Sequence, residues 1–204
     1  MLLHWKAVRK NFDLMKIGVL ALQGDVAAHR HVLETCGVQV VPVRVAADLE
    51  SLSGLVIPGG ESTVMSRLCD RYELWAPLQE HIENGLGVLG TCAGLILMAR
   101  EVSGATQNFT QKTLSVLDMS VARNAYGAQL DSFETDIEVP LLEKTVRGVF
   151  IRAPRIEKLG EDIEILAMHD ETPVAVRKGK HIALAFHPEI AGEARLHQWW
   201  LERL

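Results

Sequence analysis

Apolar positions fall along the chain in two textures. Between Lys16 and Arg100, short apolar runs alternate with longer stretches of mixed polarity. Ile17 to Leu22, Val38 to Val45, Leu55 to Ile57 and Gly87 to Gly90 read as strands. Pro42 cannot donate to a ladder, which puts the second of these at a sheet edge. Between them lie helical segments. The first follows Asp25, a candidate cap, with Val26, Val32, Leu33 and Cys36 along one side and Gly37 as its stop. Two more run from about Thr63 to Asp70 and from Glu73 to Asn84. Gly85 closes the last, and Pro77 falls near its first turn, where proline is tolerated best. Repeated strand–helix alternation predicts right-handed crossovers and a parallel sheet with helices on both faces. In such sheets the site lies outside the carboxyl ends of the strands. Three turns gather there: Gln23-Gly24-Asp25, Pro58-Gly59-Gly60-Glu61-Ser62, and the turn at Cys92.

After Arg100 the runs shorten. Leu114 to Val121, Phe133 to Val139, Val146 to Ile151, Ile163 to Met168, Val174 to Arg177 and Ile182 to Phe186 are strand-like and separated by polar turns, so antiparallel pairs are expected. Glu193 to Leu204 reads as a closing helix, with Leu196, Trp199, Trp200 and Leu204 at helical spacing.

Composition narrows this picture. At 204 residues the chain suits one α/β domain with a full core. Residues 16–204 read as that domain and residues 1–15 as an extension outside it, without the continuous apolar core of a signal peptide. The net charge of -5 argues against a nucleic-acid binder. No apolar run approaches the roughly 20 residues that span a bilayer, so no membrane partner is expected. The three cysteines, Cys36, Cys69 and Cys92, show no disulfide or zinc spacing. Their usage fits a reducing cytoplasm, and no metal or cofactor is expected.

The chemistry concentrates at Val88-Leu89-Gly90-Thr91-Cys92-Ala93-Gly94-Leu95. An apolar run, Gly-X-Cys-X-Gly and a second apolar run describe a strand, an abrupt turn and a helix. This is the sulfur counterpart of a nucleophile elbow. The glycines permit close backbone approach, and the unpaired N–H groups of the helix favour a thiolate. Taken alone, Cys92 also fits a buried core thiol.

A cysteine nucleophile needs a base, and the base an orienting group. Of the eight histidines, His4, His29, His31, His81 and His197 read as solvated or capping residues, and His169 and His181 as strand-border residues. His187 differs because it ends the apolar run Ile182 to Phe186. Pro188 keeps it extended, and in an extended chain Glu189 points to the same side. Glu189 can then accept the imidazole N–H that faces away from Cys92.

The elbow cysteine followed by His-Pro-Glu at a strand end resembles the class I glutamine amidotransferases. Their glutaminase domains carry a Cys-His-Glu triad on a three-layer, flavodoxin-like α/β fold. Further motifs resemble one branch, the glutaminase subunits of pyridoxal 5′-phosphate synthase. They are Ile17 to Gly24, Ile57-Pro58-Gly59-Gly60-Glu61-Ser62-Thr63, Gly90 to Leu95, Ala122-Arg123-Asn124-Ala125-Tyr126-Gly127, Phe150-Ile151-Arg152-Ala153-Pro154 and Phe186-His187-Pro188-Glu189. Two stretches depart from the pattern: residues 1–15, and Ala105 to Thr113.

The resemblance implies a central, mostly parallel sheet with helices on both faces and an antiparallel extension. It implies catalysis by Cys92, His187 and Glu189, and glutamine held by Gly60, Glu61 and Ser62 with Arg123, Ile151 and Arg152 opposite. The oxyanion would be held by the N–H groups of Gly60 and Ala93. Ammonia would pass to a (β/α)8-barrel synthase subunit, on whose docking activity depends. Three alternatives remain: a glutaminase subunit of another pathway, such as histidine biosynthesis; a peptidase-like or chaperone-like relative; or a non-catalytic binding module.

Overall fold

The computed structural model describes residues 12–104, 109–123 and 132–204. In the first half, β1 (Lys16–Leu20), α1 (Val26–Thr35), β2 (Gln39–Val43), β3 (Gly54–Ile57), α2 (Ser62–Arg71), α3 (Trp75–Glu83), β4 (Gly87–Thr91) and α4 (Ala93–Met98) follow one another. Then come β5 (Ala99–Ser103), β6 (Leu117–Ala122), β7 (Phe133–Val139), β8 (Lys144–Phe150), β9 (Arg155–Leu159), β10 (Glu164–His169), β11 (Thr172–Lys178), β12 (His181–Leu184) and α5 (Arg195–Leu201). Seven strands form the main sheet, in the order β10-β11-β12-β4-β3-β1-β2. The five from β12 to β2 are parallel, and β11 and β10 add antiparallel pairs. This is the expected three-layer arrangement: a mostly parallel sheet flanked by helices, with an antiparallel extension. Among the described residues no helix is long and apolar enough to cross a membrane.

The local sequence explains the layout. β3 and β4 are buried along their whole length, as strands covered on both faces must be. Pro42 lies in β2, the edge strand, where its missing N–H breaks no ladder. Gly54 and Gly87 make room for the C-terminal segment. A Cβ at either would come within 2.6 Å and 2.3 Å of Leu204, and at Gly54 also within 2.8 Å of Trp200.

Three expectations change. β5 and β9 form strands where the sequence pattern predicts none. They flank β6 in a small second sheet, and each alternates charged, exposed residues with few apolar ones, so neither carries a strong strand pattern. Asp25 precedes α1 without a side-chain capping bond, and its backbone N–H instead reaches the Gly59 carbonyl at 3.1 Å. Phe12, placed in the extension, is buried in the core, so apolar packing begins before β1.

β12, β4, β3 and β1 are neighbours, and the turns that leave their carboxyl ends therefore converge.

Candidate active site

The elbow is shaped by what its glycines lack. A Cβ on Gly94 would sit 2.0 Å from the Ile57 carbonyl oxygen, and one on Gly90 2.5 Å from Met98 Sδ. Without them α4 settles directly against β3 and β4. Between them Cys92 takes φ 48° and ψ −99°, a conformation that costs a non-glycine residue about 1–3 kcal/mol. Its N–H is tied to Leu184 O of β12 at 2.8 Å, and its carbonyl accepts from Ile96 N–H at 3.2 Å in the first turn of α4. Sγ lies 3.8 Å from the Ile151 carbonyl. The other two thiols are ordinary by contrast. Burial pushes Cys36 up, and burial with the neighbouring Asp70 charge pushes Cys69 up to about 12.

His187 leaves β12 and is fixed by its own backbone, whose N–H reaches Val149 O of β8 at 2.8 Å. Its Nδ1 is 2.8 Å from Glu189 Oε1, and both side chains are buried. The extended His-Pro-Glu segment thus puts the acid on the ring as its spacing requires. Burial alone would pull the imidazolium down. Hydrogen bonds with Cys92 and Glu189, and the charges on both, outweigh it and push His187 up to about 10. For Glu189, burial works upward, but the His29 charge and hydrogen bonds from His187 and His29 hold it well below the usual carboxylate range. Sulfur, imidazolium and carboxylate therefore form a continuous acid–base line. Asp25 Oδ2 approaches His187 Nδ1 at 3.8 Å. Asp25, His187 and Glu189 each bring a ligand-type atom within 4.8 Å of the others, but Nδ1 is already committed to Glu189.

Two histidines read as solvated or capping from the sequence are instead buried beside this line. His29 Nε2 lies 3.2 Å from Glu189 Oε1 and 3.0 Å from Thr91 Oγ1. Its Nδ1 lies 3.0 Å from Nε2 of His197 on α5. The missed signal was positional. His29 shares the buried stripe of α1 with Val32 and Leu33, and a histidine in an apolar stripe needs a partner.

Cys92 opens on a small, partly open cleft. Gly60, Glu61 and Ser62 form one wall, and Arg123, Ile151 and Arg152 line it too. Ile96, which sequence reasoning missed because an aliphatic residue carries no chemical signal, completes it. Ala93 follows Cys92 directly as the first residue of α4 and is buried outside the lining. The wall turn is braced from the turn after β1: Glu61 N–H donates to Gln23 Oε1 at 2.7 Å. Gly60 has φ +152°, and a Cβ there would meet Gln23 Oε1 at 2.4 Å. Arg123 is mostly buried and donates to Glu61 Oε1 and Gln111 Oε1, both at 3.3 Å. Gln111 belongs to the stretch that departs from the resembled pattern, and it supports the arginine from there. Residues 124–127 of the Arg123 motif, and residues 105–108 of the departing stretch, lie outside the described residues.

The model of the SNO glutamine amidotransferase family matches residues 19–204. The chain is 47% identical to the pyridoxal 5′-phosphate synthase subunit PdxT of Kosmotoga olearia, over 93% of this chain and 98% of that one. It is also 47% identical to the subunit of the same name from Thermotoga maritima, over 92% and 98%. A crystal structure described as a glutamine amidotransferase superposes with a TM-score of 0.85 at 44% identity, covering 91% of this chain and 97% of that one. PurLQS from Thermotoga maritima shares the fold alone, with a TM-score of 0.67 at 16% identity over 92% and 96%. An elbow cysteine on a hydrogen-bonded His–Glu pair thus sits in a chain whose match runs from the end of β1 to the last residue, and the chain belongs to the SNO glutamine amidotransferase family.

Proposed function

We propose that the chain is the glutaminase subunit of a pyridoxal 5′-phosphate synthase, hydrolysing L-glutamine to L-glutamate and ammonia. The observation that carries this is the buried Cys92–His187–Glu189 line opening on a polar cleft. Glutamine is a zwitterion. Arg123 suits its α-carboxylate, while the Glu61 carboxylate and the carbonyls of the Ile151-Arg152 segment suit its ammonium. Gly60 and Ser62 form the backbone wall beside it.

Cys92 transfers its proton to His187 and attacks the side-chain amide carbon. The N–H groups of Ala93 and Gly60 stabilise the oxyanion. As the tetrahedral intermediate collapses, His187 gives its proton to the departing ammonia, leaving a γ-glutamyl thioester. His187 then takes a proton from water, hydroxide attacks the thioester, and glutamate leaves as the proton returns to sulfur. Glu189 keeps the imidazole in the tautomer and orientation these transfers need.

Ammonia released into water becomes ammonium, so a glutaminase without its own acceptor chemistry passes it to a partner. We take that partner to be the (β/α)8-barrel synthase subunit, with residues 16–204 acting as one glutaminase domain, residues 1–15 as an extension that packs Phe12 against it, and the complex in the cytoplasm. The names of the relatives favour this pathway over another amidotransferase such as that of histidine biosynthesis. The intact acid–base line argues against a non-catalytic module. The test is ammonia release with and without the synthase. The wild-type complex should be active and stimulated by docking, and Cys92→Ala should release none while still binding glutamine. Turnover in Cys92→Ala would defeat the assignment, and equal rates with and without synthase would defeat the gating.

A further inference from the structure

Glu189 presents a problem that its role as orienter does not solve. Its side chain is fully buried, and a buried carboxylate is tolerated only when its charge is answered. The obvious answer is His187, but the charge on His187 is not constant. It carries a proton when Cys92 is the thiolate and loses it when ammonia departs, so during part of each turnover Glu189 would face a neutral ring.

A second donor lies on the same oxygen. Glu189 Oε1 is 2.8 Å from His187 Nδ1, 3.2 Å from His29 Nε2 and 3.3 Å from Thr91 Oγ1. Thr91 ends β4 immediately before Cys92, and His29 projects from α1. His29 has no access to the cleft and touches no reacting atom. Its ring is held at both ends, because Nδ1 meets His197 Nε2 at 3.0 Å. His197 is itself fully buried, and that burial pulls its imidazolium down to about 3, so it remains a neutral partner at working pH. Thr91 Oγ1–H donates to Glu189, so Thr91 can only accept from His29 Nε2 at 3.0 Å; Nε2 therefore carries a proton that faces Glu189, and Nδ1 of a neutral His29 accepts from His197 Nε2–H.

We propose that His29 is a positioning residue of the glutaminase site: it holds Glu189 through Oε1 while the proton on His187 comes and goes, and His197 fixes its ring. This rests on the glutaminase reading above. A histidine buried only for packing would have no reason to share the oxygen that orients His187.

Two polar variants separate the roles, measured in the complex with the synthase subunit. His29→Gln extends an amide to the position of Nε2 and keeps a donor on Glu189. His29→Asn puts its amide near Nδ1, keeps the His197 contact and abandons Glu189. His29→Asn should lower kcat for glutamine hydrolysis by about 10- to 100-fold, the worth of one hydrogen bond to a charged group, with KM nearly unchanged. His29→Gln should recover to within a few-fold of wild type. Equal kcat in all three proteins, equal losses in both variants, or an effect on KM alone overturns the proposal.

A second measurement needs no glutamine: the rate at which iodoacetamide alkylates Cys92 at neutral pH. It should fall in His29→Asn and hold in His29→Gln, and equal rates in all three overturn the coupling. If the wild-type complex releases no ammonia, the glutaminase reading fails by itself, and the alkylation series still decides whether His29 acts through Glu189.

Discussion

Gly59→Ala isolates the placement of the base. A Cβ on Gly59 would lie 2.0 Å from His187 Cε1 and 2.7 Å from Nδ1. Gly59 is not among the positive-φ residues, so the backbone accepts alanine and the effect is purely steric. The ring must retreat by about 1.4 Å to reach ordinary contact near 3.4 Å. Its 2.8 Å bond to Glu189 is then broken, because the carboxylate is tethered to His29 and Thr91 and does not follow. Displacing a reacting group by ~1 Å costs on the order of 100-fold in rate. The lost bond joins two charged groups and is worth ~1.5–3 kcal/mol, against a gain of ~0.4–1 kcal/mol from restricting the unfolded chain, so the net loss is roughly 1–2 kcal/mol. For a chain of this size that lowers the thermal midpoint by about 2–8 °C. Glutamate production in the complex and thermal unfolding of the isolated subunit measure the two effects. A Gly59→Ala protein with wild-type kcat would refute the packing of His187 against this turn, whatever its stability.

Strain at Cys92 predicts an inverted ranking: Cys92→Gly should be more stable than Cys92→Ala by about 1 kcal/mol and unfold about 2–4 °C higher, because glycine alone relieves the positive φ. The opposite order in a thermal scan would place the strain elsewhere. Arg123→Met should raise the KM for glutamine about 10- to 100-fold with a smaller change in kcat, since it removes a mostly buried cation from the cleft. An unchanged KM would remove Arg123 from substrate binding. The raised His187 stabilises the fold fully below the ordinary histidine value of 6.5, and that contribution is lost as pH rises towards about 10. The wild-type midpoint should therefore fall across this window relative to His187→Asn, and parallel pH curves would show that no such imidazolium exists. Glu189 has the opposite sign: its contribution is present above the carboxylate range and is lost only in acid.

What could be read from the chain follows from where each signal originates. β1, β3 and β4 are apolar runs because both faces of a central parallel strand are covered, so burial is written directly into the residue types. The Cys92 elbow and His187-Pro188-Glu189 are local, set by a turn and by the two-residue period of extended chain. β5 and β9 are largely exposed and carry charges, so their pairing with β6 decides their conformation more than their own residues do. The His29–His197 bond joins residues 168 positions apart, and no pattern along either helix specifies it. Gln111 became visible only once the fold set it against Arg123. The residues that perform chemistry announce themselves locally, whereas those that hold them in place are defined by long-range contact.

The backbone bonds around the site divide it into parts of unequal firmness. Cys92 and His187 are each pinned to a neighbouring strand, by Cys92 N–H on Leu184 O and His187 N–H on Val149 O, both at 2.8 Å. Moving either would disturb the central sheet or the hairpin beside it. Among the described residues the Gly59-Gly60 turn has no strand partner of that kind. Its links to the β1 turn are Asp25 N–H on the Gly59 carbonyl at 3.1 Å and the Gln23 side chain on Glu61 N–H at 2.7 Å. Rotating the peptide between two glycines meets no Cβ barrier and sacrifices one backbone hydrogen bond. A partner that controls this enzyme by docking would therefore act most easily on the Gly59-Gly60 turn, leaving Cys92, His187 and Glu189 where the sheet already holds them.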